Sequence, residues 1–264
     1  PLPAPAALEC LATMLGSIGR RPERGRDVTD NNAPETDNED IRARVQEGIS
    51  RVVEALQNGR AEDALAATRE LLEQFPDQAD PYHMLGVLLL KGGRPDQAIE
   101  ALRRSIDIDD DFPGAHYNLG LALSALGRLE EALAAHSRAI SLKPDHRDAH
   151  GEVARIHEAA GRHAEAEAAW RSVLALAGDD TSALAGVARA QLAMGRAGEA
   201  LEILDSALAG PASGEELAVL KTRALEAAEG PAAALAWVES SSAEPGGLLE
   251  QEGGRLSGLV GREH

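Results

Sequence analysis

The sequence is poor in aromatic residues, which make up 2% of its 264 residues: two Phe, two Tyr and two Trp. So few rings exclude an aromatic-rich core and the stacking platform of a protein that binds single-stranded nucleic acid. Basic residues are also in the minority, because 26 Lys and Arg stand against 44 Asp and Glu, for a formal net charge of −18. A charge of that sign argues against a general nucleic-acid binder.

Cysteine and long apolar runs are scarce as well. The single cysteine, Cys10, excludes an internal disulfide framework and a multi-cysteine zinc site. No apolar run approaches the roughly 18 residues that a membrane-spanning helix requires. The chain is instead rich in Ala and Leu, which is typical of a helical protein whose helices approach one another closely.

A period of 34 residues runs through the middle of the chain. Gly-Arg pairs recur at this interval, and their glycines are Gly59, Gly93, Gly127, Gly161 and Gly195. An alanine follows five residues after each of these glycines, and this alanine slot continues to a sixth position: Ala64, Ala98, Ala132, Ala166, Ala200 and Ala234. Self-similarity at one fixed interval indicates a repeat architecture.

Each repeat carries two apolar patterns of helical period. The first pattern, as in Tyr82, Leu85, Gly86 and Leu89, ends at the glycine, which adopts the left-handed conformation of a helix C-cap at little cost. Small residues at Gly86, Gly120 and the alanine slot allow two antiparallel helices to pack closely. Neither helix of a pair can bury its apolar face alone, so neighbouring pairs must stack. The sequence therefore predicts an all-α solenoid.

The 34-residue period, the Leu-Gly pairs at 85–86 and 119–120, the recurring alanine and the terminal proline resemble the tetratricopeptide repeat (TPR). The resemblance implies a right-handed α-solenoid of about six helix-turn-helix repeats. We place these repeats at residues 45–78, 79–112, 113–146, 147–180, 181–214 and 215–242. Arg51 and Lys221 stand where other repeats hold leucine, so we interpret the first and last repeats as polar caps.

The flanks of the predicted solenoid differ from it in composition. Residues 1–19 are a weakly amphipathic segment, whose apolar face is Leu8, Leu11, Leu15 and Ile18. Residues 20–44 are predicted to be a charged linker and residues 243–264 a flexible Gly-rich tail, both disordered. The arginines near the N-terminus follow the apolar run, whereas a secretory signal carries its positive charge before it. We therefore expect a cytoplasmic protein.

By the resemblance, the first helix of each repeat lines a concave groove that holds an extended peptide or a partner helix. The candidate contact residues lie half a turn from the core pattern: Asp80, His83, Val87, Tyr117, Asn118, Leu121, Asp148, Arg155, Arg189 and Arg223.

One slot of the first helices changes character along the chain. Its first three members are apolar: Val53, Val87 and Leu121. Its next three form what we call the arginine ladder: Arg155, Arg189 and Arg223. A row of guanidinium forks suits carboxylates or phosphates, so an acidic peptide is the partner that it favours. The alternative is that the arginines pair with acids of their own surface, namely Glu152, Glu158 and Glu226.

The clamp with which chaperone-binding TPR proteins hold a C-terminal carboxylate is not expected here. Asn118 matches one slot of that clamp, but His83 and Val87 stand where Lys and Asn would be. Asp148 and Glu152 occupy slots that would need to be basic. Chaperone tails are therefore not an expected ligand.

Motifs for catalysis or metal binding are not found in the sequence. Five histidines fall in or beside the third and fourth repeats: His116, His136, His146, His150 and His157. They could hold zinc, but no His-Glu-x-x-His motif or cysteine pair supports a metal, and packing in place of the usual aromatic is the favoured interpretation. We expect no cofactor, no metal and no catalytic residue.

These observations predict a non-catalytic scaffold or adaptor that binds a partner protein or extended peptide in its groove and assembles a larger complex. The alternative is an accessory or regulatory subunit of an enzyme whose catalytic part is a separate chain. Neither interpretation involves nucleic acid or a membrane span.

Overall fold

The structure is a computed structural model that describes residues 35–209, 214–241 and 248–260, and all regular secondary structure among these residues is α-helical. The predicted segment 1–19, including Cys10, and the linker up to residue 34 lie outside the described residues. None of the helices in the described ranges combines the length and hydropathy needed to cross a membrane.

The chain divides into two compact units, residues 1–144 and 145–264. The helices of the first unit are α1 (Glu35–Gln57), α2 (Ala61–Gln74), α3 (Ala79–Lys91), α4 (Pro95–Ile108), α5 (Pro113–Ala125) and α6 (Leu129–Leu142). Those of the second unit are α7 (Arg147–Ala159), α8 (His163–Leu176), α9 (Thr181–Ala193), α10 (Ala197–Ala209), α11 (Glu215–Glu229), α12 (Pro231–Ser240) and α13 (Leu248–Val260).

Within each unit, consecutive helices pack as pairs, and the pairs contact their neighbours. The pairs are α1–α2, α3–α4 and α5–α6 in the first unit, and α7–α8, α9–α10 and α11–α12 in the second. The first helices also contact one another directly, in a row α1, α3, α5 in the first unit and α7, α9, α11, α13 in the second. This arrangement confirms the predicted stack of helical hairpins.

The turn within each of the first five pairs contains the predicted Gly-Arg. The backbone φ angles lie between +68° and +73° at Gly59, Gly93, Gly127, Gly161 and Gly195. This left-handed region is costly for residues with a Cβ, which explains why glycine recurs there. The following arginine ties the turn to the next helix, as when Arg128 Nε donates to Glu131 Oε1 at 2.7 Å.

The alanine slot lies at the centre of the packing. All six of its members have 0% exposure: Ala64, Ala98, Ala132, Ala166, Ala200 and Ala234. Large side chains of the second helices pack against glycines of the first helices. A side chain at position 120 in place of Gly120 would overlap the His136 ring, and one in place of Gly186 would overlap Trp170. The close helix approach predicted from small residues is confirmed.

The first helix begins at Glu35, before the repeat boundary predicted at residue 45, so part of the predicted linker is helical. Val45 is buried, and the Arg44 guanidinium lies 5.1 Å from the centre of the Phe75 ring. These contacts hold α1 against the end of α2 at the predicted repeat boundary.

The C-terminal end also differs from the prediction, because α13 lies within the segment that we expected to be a flexible tail. Leu249 and Leu256 are buried, in a cluster whose other buried members are Val219, Ala234 and Val238. The Leu249 backbone N–H donates to Glu215 Oε1 at 3.2 Å, and Glu215 stands 34 residues earlier in the chain. The helix α13 therefore occupies the place of a seventh first helix.

This seventh helix changes the interpretation of Lys221 as a residue of a terminal cap. Lys221 Nζ lies 2.7 Å from Asp205 Oδ1 and 4.7 Å from the centre of the Trp237 ring. Its ammonium is thus held between α10 and α12, while α13 packs against α11. Arg51, at the other end, is exposed and pairs with Glu70 at 2.9 Å.

Candidate functional site

In the first unit, two of the predicted groove residues come together. Asn118 Nδ2 lies 2.9 Å from His83 Nε2 and also donates to the Gly114 carbonyl at 2.9 Å. The His83 ring is tilted against Phe112, with ring centroids 4.7 Å apart. Burial lowers the pKa of His83 to about 4, so the imidazole is neutral near pH 7 and accepts the amide hydrogen.

The remaining predicted residues of this unit are partly exposed. Val87, Tyr117 and Leu121 each keep an exposed fraction, and the Tyr117 ring lies 5.6 Å from that of His136. Asp80 lines a separate cleft of about 380 Å³ together with Asp109. Burial raises the pKa of Asp80, and the nearby Asp109 charge adds to the effect. Apart from Asp80, the predicted groove residues of α3 and α5 are therefore uncharged.

In the second unit, each member of the arginine ladder is engaged by a carboxylate. Arg155 Nη2 lies 2.5 Å from Glu152 Oε1, and its guanidinium lies 5.9 Å from the centre of the Trp170 ring. Asp148, on the same helix, is exposed, with Oδ1 3.8 Å from Arg147 Nε. These pairs are of the kind that the alternative interpretation of the ladder describes, in which the arginines pair within their own acidic surface.

The other two arginines join neighbouring first helices. Arg189 on α9 donates from Nε to Glu158 on α7 at 3.2 Å and from Nη1 to Glu216 on α11 at 2.5 Å. Arg223 on α11 donates from Nη2 to Glu252 on α13 at 2.9 Å.

Glu226 pairs differently from the prediction: it contacts Arg255 on α13, with Nη2 at 2.5 Å from Oε2. The prediction assigned Glu226 to the ladder because α13 was not anticipated.

Arg189 and Arg223 share a cleft of about 720 Å³. Its lining combines two arginines, one acid and one histidine with apolar residues: Glu158, Ala159, His163, Arg189, Ala190, Leu192, Ala193, Leu220, Arg223 and Ala227. Arg155 is not among them. The apolar lining was not predicted from the sequence, although three of its exposed members recur at the repeat interval: Ala159, Ala193 and Ala227.

A buried ionic cluster lies elsewhere in the second unit, around Glu167. Arg171 and Gln191 donate to Glu167 Oε1, at 2.9 Å and 3.1 Å, and Arg196 pairs with Oε2. Burial alone would raise the pKa of Glu167, but the hydrogen bonds from Arg196 and Arg171 outweigh it and lower the pKa. The carboxylate therefore stays ionised and joins α8 to α9 and the turn that follows it.

The five histidines highlighted by the sequence have separate environments. His116 is buried, with Nε2 2.9 Å from the Asp110 carbonyl oxygen. His136 packs against Gly120, and His146 accepts the Ala149 N–H through Nδ1 at 3.4 Å. His150 and His157 lie on α7, partly exposed. Among the described residues, no group of three or more His, Cys, Asp or Glu side chains is placed to hold a metal ion.

This stack of helical hairpins at a 34-residue period defines a class of repeat protein. The tetratricopeptide repeat profile matches residues 50–116, 83–147, 117–181 and 153–216. The chain therefore belongs to the tetratricopeptide repeat family. A search of curated protein sequences finds no significant match.

Solved structures with a similar fold include the following three proteins. The Pseudomonas aeruginosa pilF structure has a TM-score of 0.63 at 23% identity, covering 81% of this chain and 96% of its own. YrrB, described as a TPR protein with an unusual peptide-binding site, has a TM-score of 0.62 at 16% identity, covering 72% and 98%. MamA has a TM-score of 0.56 at 23% identity, covering 62% and 90%. At these identities the likeness concerns the fold.

Proposed function

We propose that this TPR protein is a non-catalytic adaptor that binds a partner protein or extended peptide along its first helices. The observation that carries the proposal is the apolar cleft of about 720 Å³ that Arg189 and Arg223 line in the second unit. An apolar cleft with a few placed charged groups is the usual form of a recognition site. The peptide-binding site named for YrrB is consistent with such a use of the fold.

The first unit would contribute a different kind of contact. Val87 and Leu121 offer apolar surface, and the neutral pair of His83 and Asn118 offers polar groups without charge. A partner that contacts this face therefore needs no complementary charge there. We place the protein in the cytoplasm and assign it no cofactor, metal or nucleic acid.

The first experiment is to capture partners with the tagged full-length chain and to measure the affinity of a purified partner for variants. Changing Arg155, Arg189 and Arg223 together to Ala should weaken binding at least tenfold, about 1.4 kcal/mol, with the helical circular dichroism signal retained. The triple variant removes the charge-assisted hydrogen bond that Arg189 donates to the ligand, and it removes positive charge from the cleft and beside it.

The matched control changes three basic residues on or next to second helices, Arg103, Arg138 and Lys143, to Ala. This variant loses the same charge but leaves the first-helix face intact, so its affinity should stay close to that of the unaltered chain. Equal affinity of the ladder variant and the unaltered protein would contradict the proposal. A captured enzyme whose turnover changes on binding would instead support the accessory-subunit interpretation.

A further inference from the structure

We propose that Glu216 is an internal competitor for the ligand at Arg189, and that the cleft takes an internal peptide segment with an apolar side chain beside one carboxylate. This inference rests on the proposed function and specifies its ligand. In the structure, the Glu216 carboxylate stands in for the carboxylate of the ligand.

The geometry of Arg189 separates a fixed contact from a replaceable one. Nε is bound to Glu158, whose side chain is 22% exposed, so the guanidinium plane is held against α7. Nη1 is bound to Glu216, whose side chain is 59% exposed. Exposed ion pairs contribute little to stability because water and salt screen them. An incoming carboxylate can therefore take the place of Glu216 on Nη1 while Glu158 keeps the guanidinium oriented.

Arg223 lines the same cleft, but a ligand cannot easily replace its carboxylate partner. Its partner Glu252 is only 11% exposed and is also bound by Arg255, through Nε at 2.6 Å from Oε2. Burial would raise the pKa of Glu252, but hydrogen bonds from Arg255 and Arg223 outweigh it and lower the pKa. Releasing Arg223 would leave a buried carboxylate with one partner fewer, which is costly. Of the two arginines that line the cleft, Arg189 is therefore the one whose carboxylate partner a ligand can replace.

The apolar part of the cleft indicates how the ligand chain runs. Ala190 and Leu220 are buried at its base, and the exposed alanines Ala159, Ala193 and Ala227 belong to three successive first helices. Small side chains across three helices leave a cleft that crosses them instead of closing around one point. Such a cleft fits a continuous segment with an apolar anchor, and the carboxylate beside the anchor meets Arg189.

The test selects ligands from a displayed library of random 12-residue peptides on the full chain. The strongest binder is synthesised with acetylated and amidated ends, labelled, and titrated by fluorescence anisotropy. Arg189→Ala should weaken its binding about tenfold, because the guanidinium is its anion partner. Glu216→Gln should tighten binding about threefold, because the internal competitor loses its charge. A gain in affinity cannot arise from misfolding.

Glu202→Gln is the control, because it removes the same charge from the second helix α10, outside the cleft. Its affinity should equal that of the unaltered chain. If neither Arg189→Ala nor Glu216→Gln changes the affinity, the inference is overturned and the adaptor proposal still stands. Stronger binding of a peptide whose only carboxylate is its free C-terminus would overturn the internal-segment assignment. A library that yields no binder would count against both proposals.

Discussion

In the first unit, α3 and α5 carry apolar groove residues and a hydrogen bond between neutral His83 and Asn118, whereas in the second unit the corresponding face carries arginine–carboxylate pairs. Both faces are built on the same 34-residue period and the same buried alanine slot. The repeat therefore constrains the buried positions, and the exposed positions can differ freely between the units. Variants at buried positions and variants at exposed positions can test these two statements separately.

The largest effect is expected where the two units place a large side chain differently. In the first unit, His136 packs over Gly120 of its own repeat, while in the second Trp170 packs over Gly186 of the following repeat. Trp170→Ala should cost about 3–5 kcal/mol of unfolding free energy, because it leaves a cavity between two repeats. Urea denaturation followed by circular dichroism measures the loss. Trp237→Ala, at a partly exposed site, is the control, and an equal loss there would contradict the packing argument.

In mild acid, the first unit should lose up to about 3 kcal/mol of unfolding free energy that the second unit keeps. The pKa of His83 is lowered from 6.5 to about 4, so the unfolded chain takes up this proton first and the folded unit loses stability as pH falls from about 6.5 to about 4. The pKa values of Glu167 and Glu252 are lowered from 4.5, so their contribution is present above that pH and lost below it.

Hydrogen exchange at pH 7 and pH 5 therefore should show the weakening in the first unit. His83→Gln should remove most of this pH dependence, since glutamine has no proton to take up in this range. An unaltered pH dependence in that variant would show that another group is responsible.

A smaller effect tests the alanine slot that both units share. Ala132→Leu should destabilise the protein by about 1–3 kcal/mol, because Ala132 is fully buried between close helices. Ala134→Leu lies on the same helix at an exposed position and should change the stability little. Thermal denaturation of the two variants measures the difference. If both melt alike, the helix register assigned to this repeat is wrong.

The fold could largely be predicted because the residues that determine it recur at one fixed interval. Glycine at the turn and alanine at the helix contact tolerate few substitutes, so the predicted repeat starts at residues 79, 113, 147, 181 and 215 coincide with helix starts. Helix α13 escaped prediction because Gly253 and Gly254 have low helix propensity, and its stability comes from the burial of Leu249 and Leu256.

The candidate site was only partly predictable from the sequence. The arginine ladder was visible as a periodic slot, but the partner of each arginine depends on which acids the neighbouring helices bring near. Glu252 and Arg255 lie on the unforeseen α13, so the partners of Arg223 and Glu226 could not be assigned. Exposed alanines such as Ala193 recur at the repeat interval, but alanine is common throughout the chain, and the cleft that they line appears only when three helices are placed together.

The six fully buried alanines have a consequence for how this sequence can vary over generations. At each of them a larger residue overpacks a fully buried position, while glycine weakens the helix that carries it. Four positions before Ala159, Ala193 and Ala227, by contrast, stand exposed or partly exposed arginines whose replacement leaves the helices intact. Mutational tolerance along the chain therefore rises and falls with the period of the repeat, and new binding specificity can arise without passing through an unfolded intermediate.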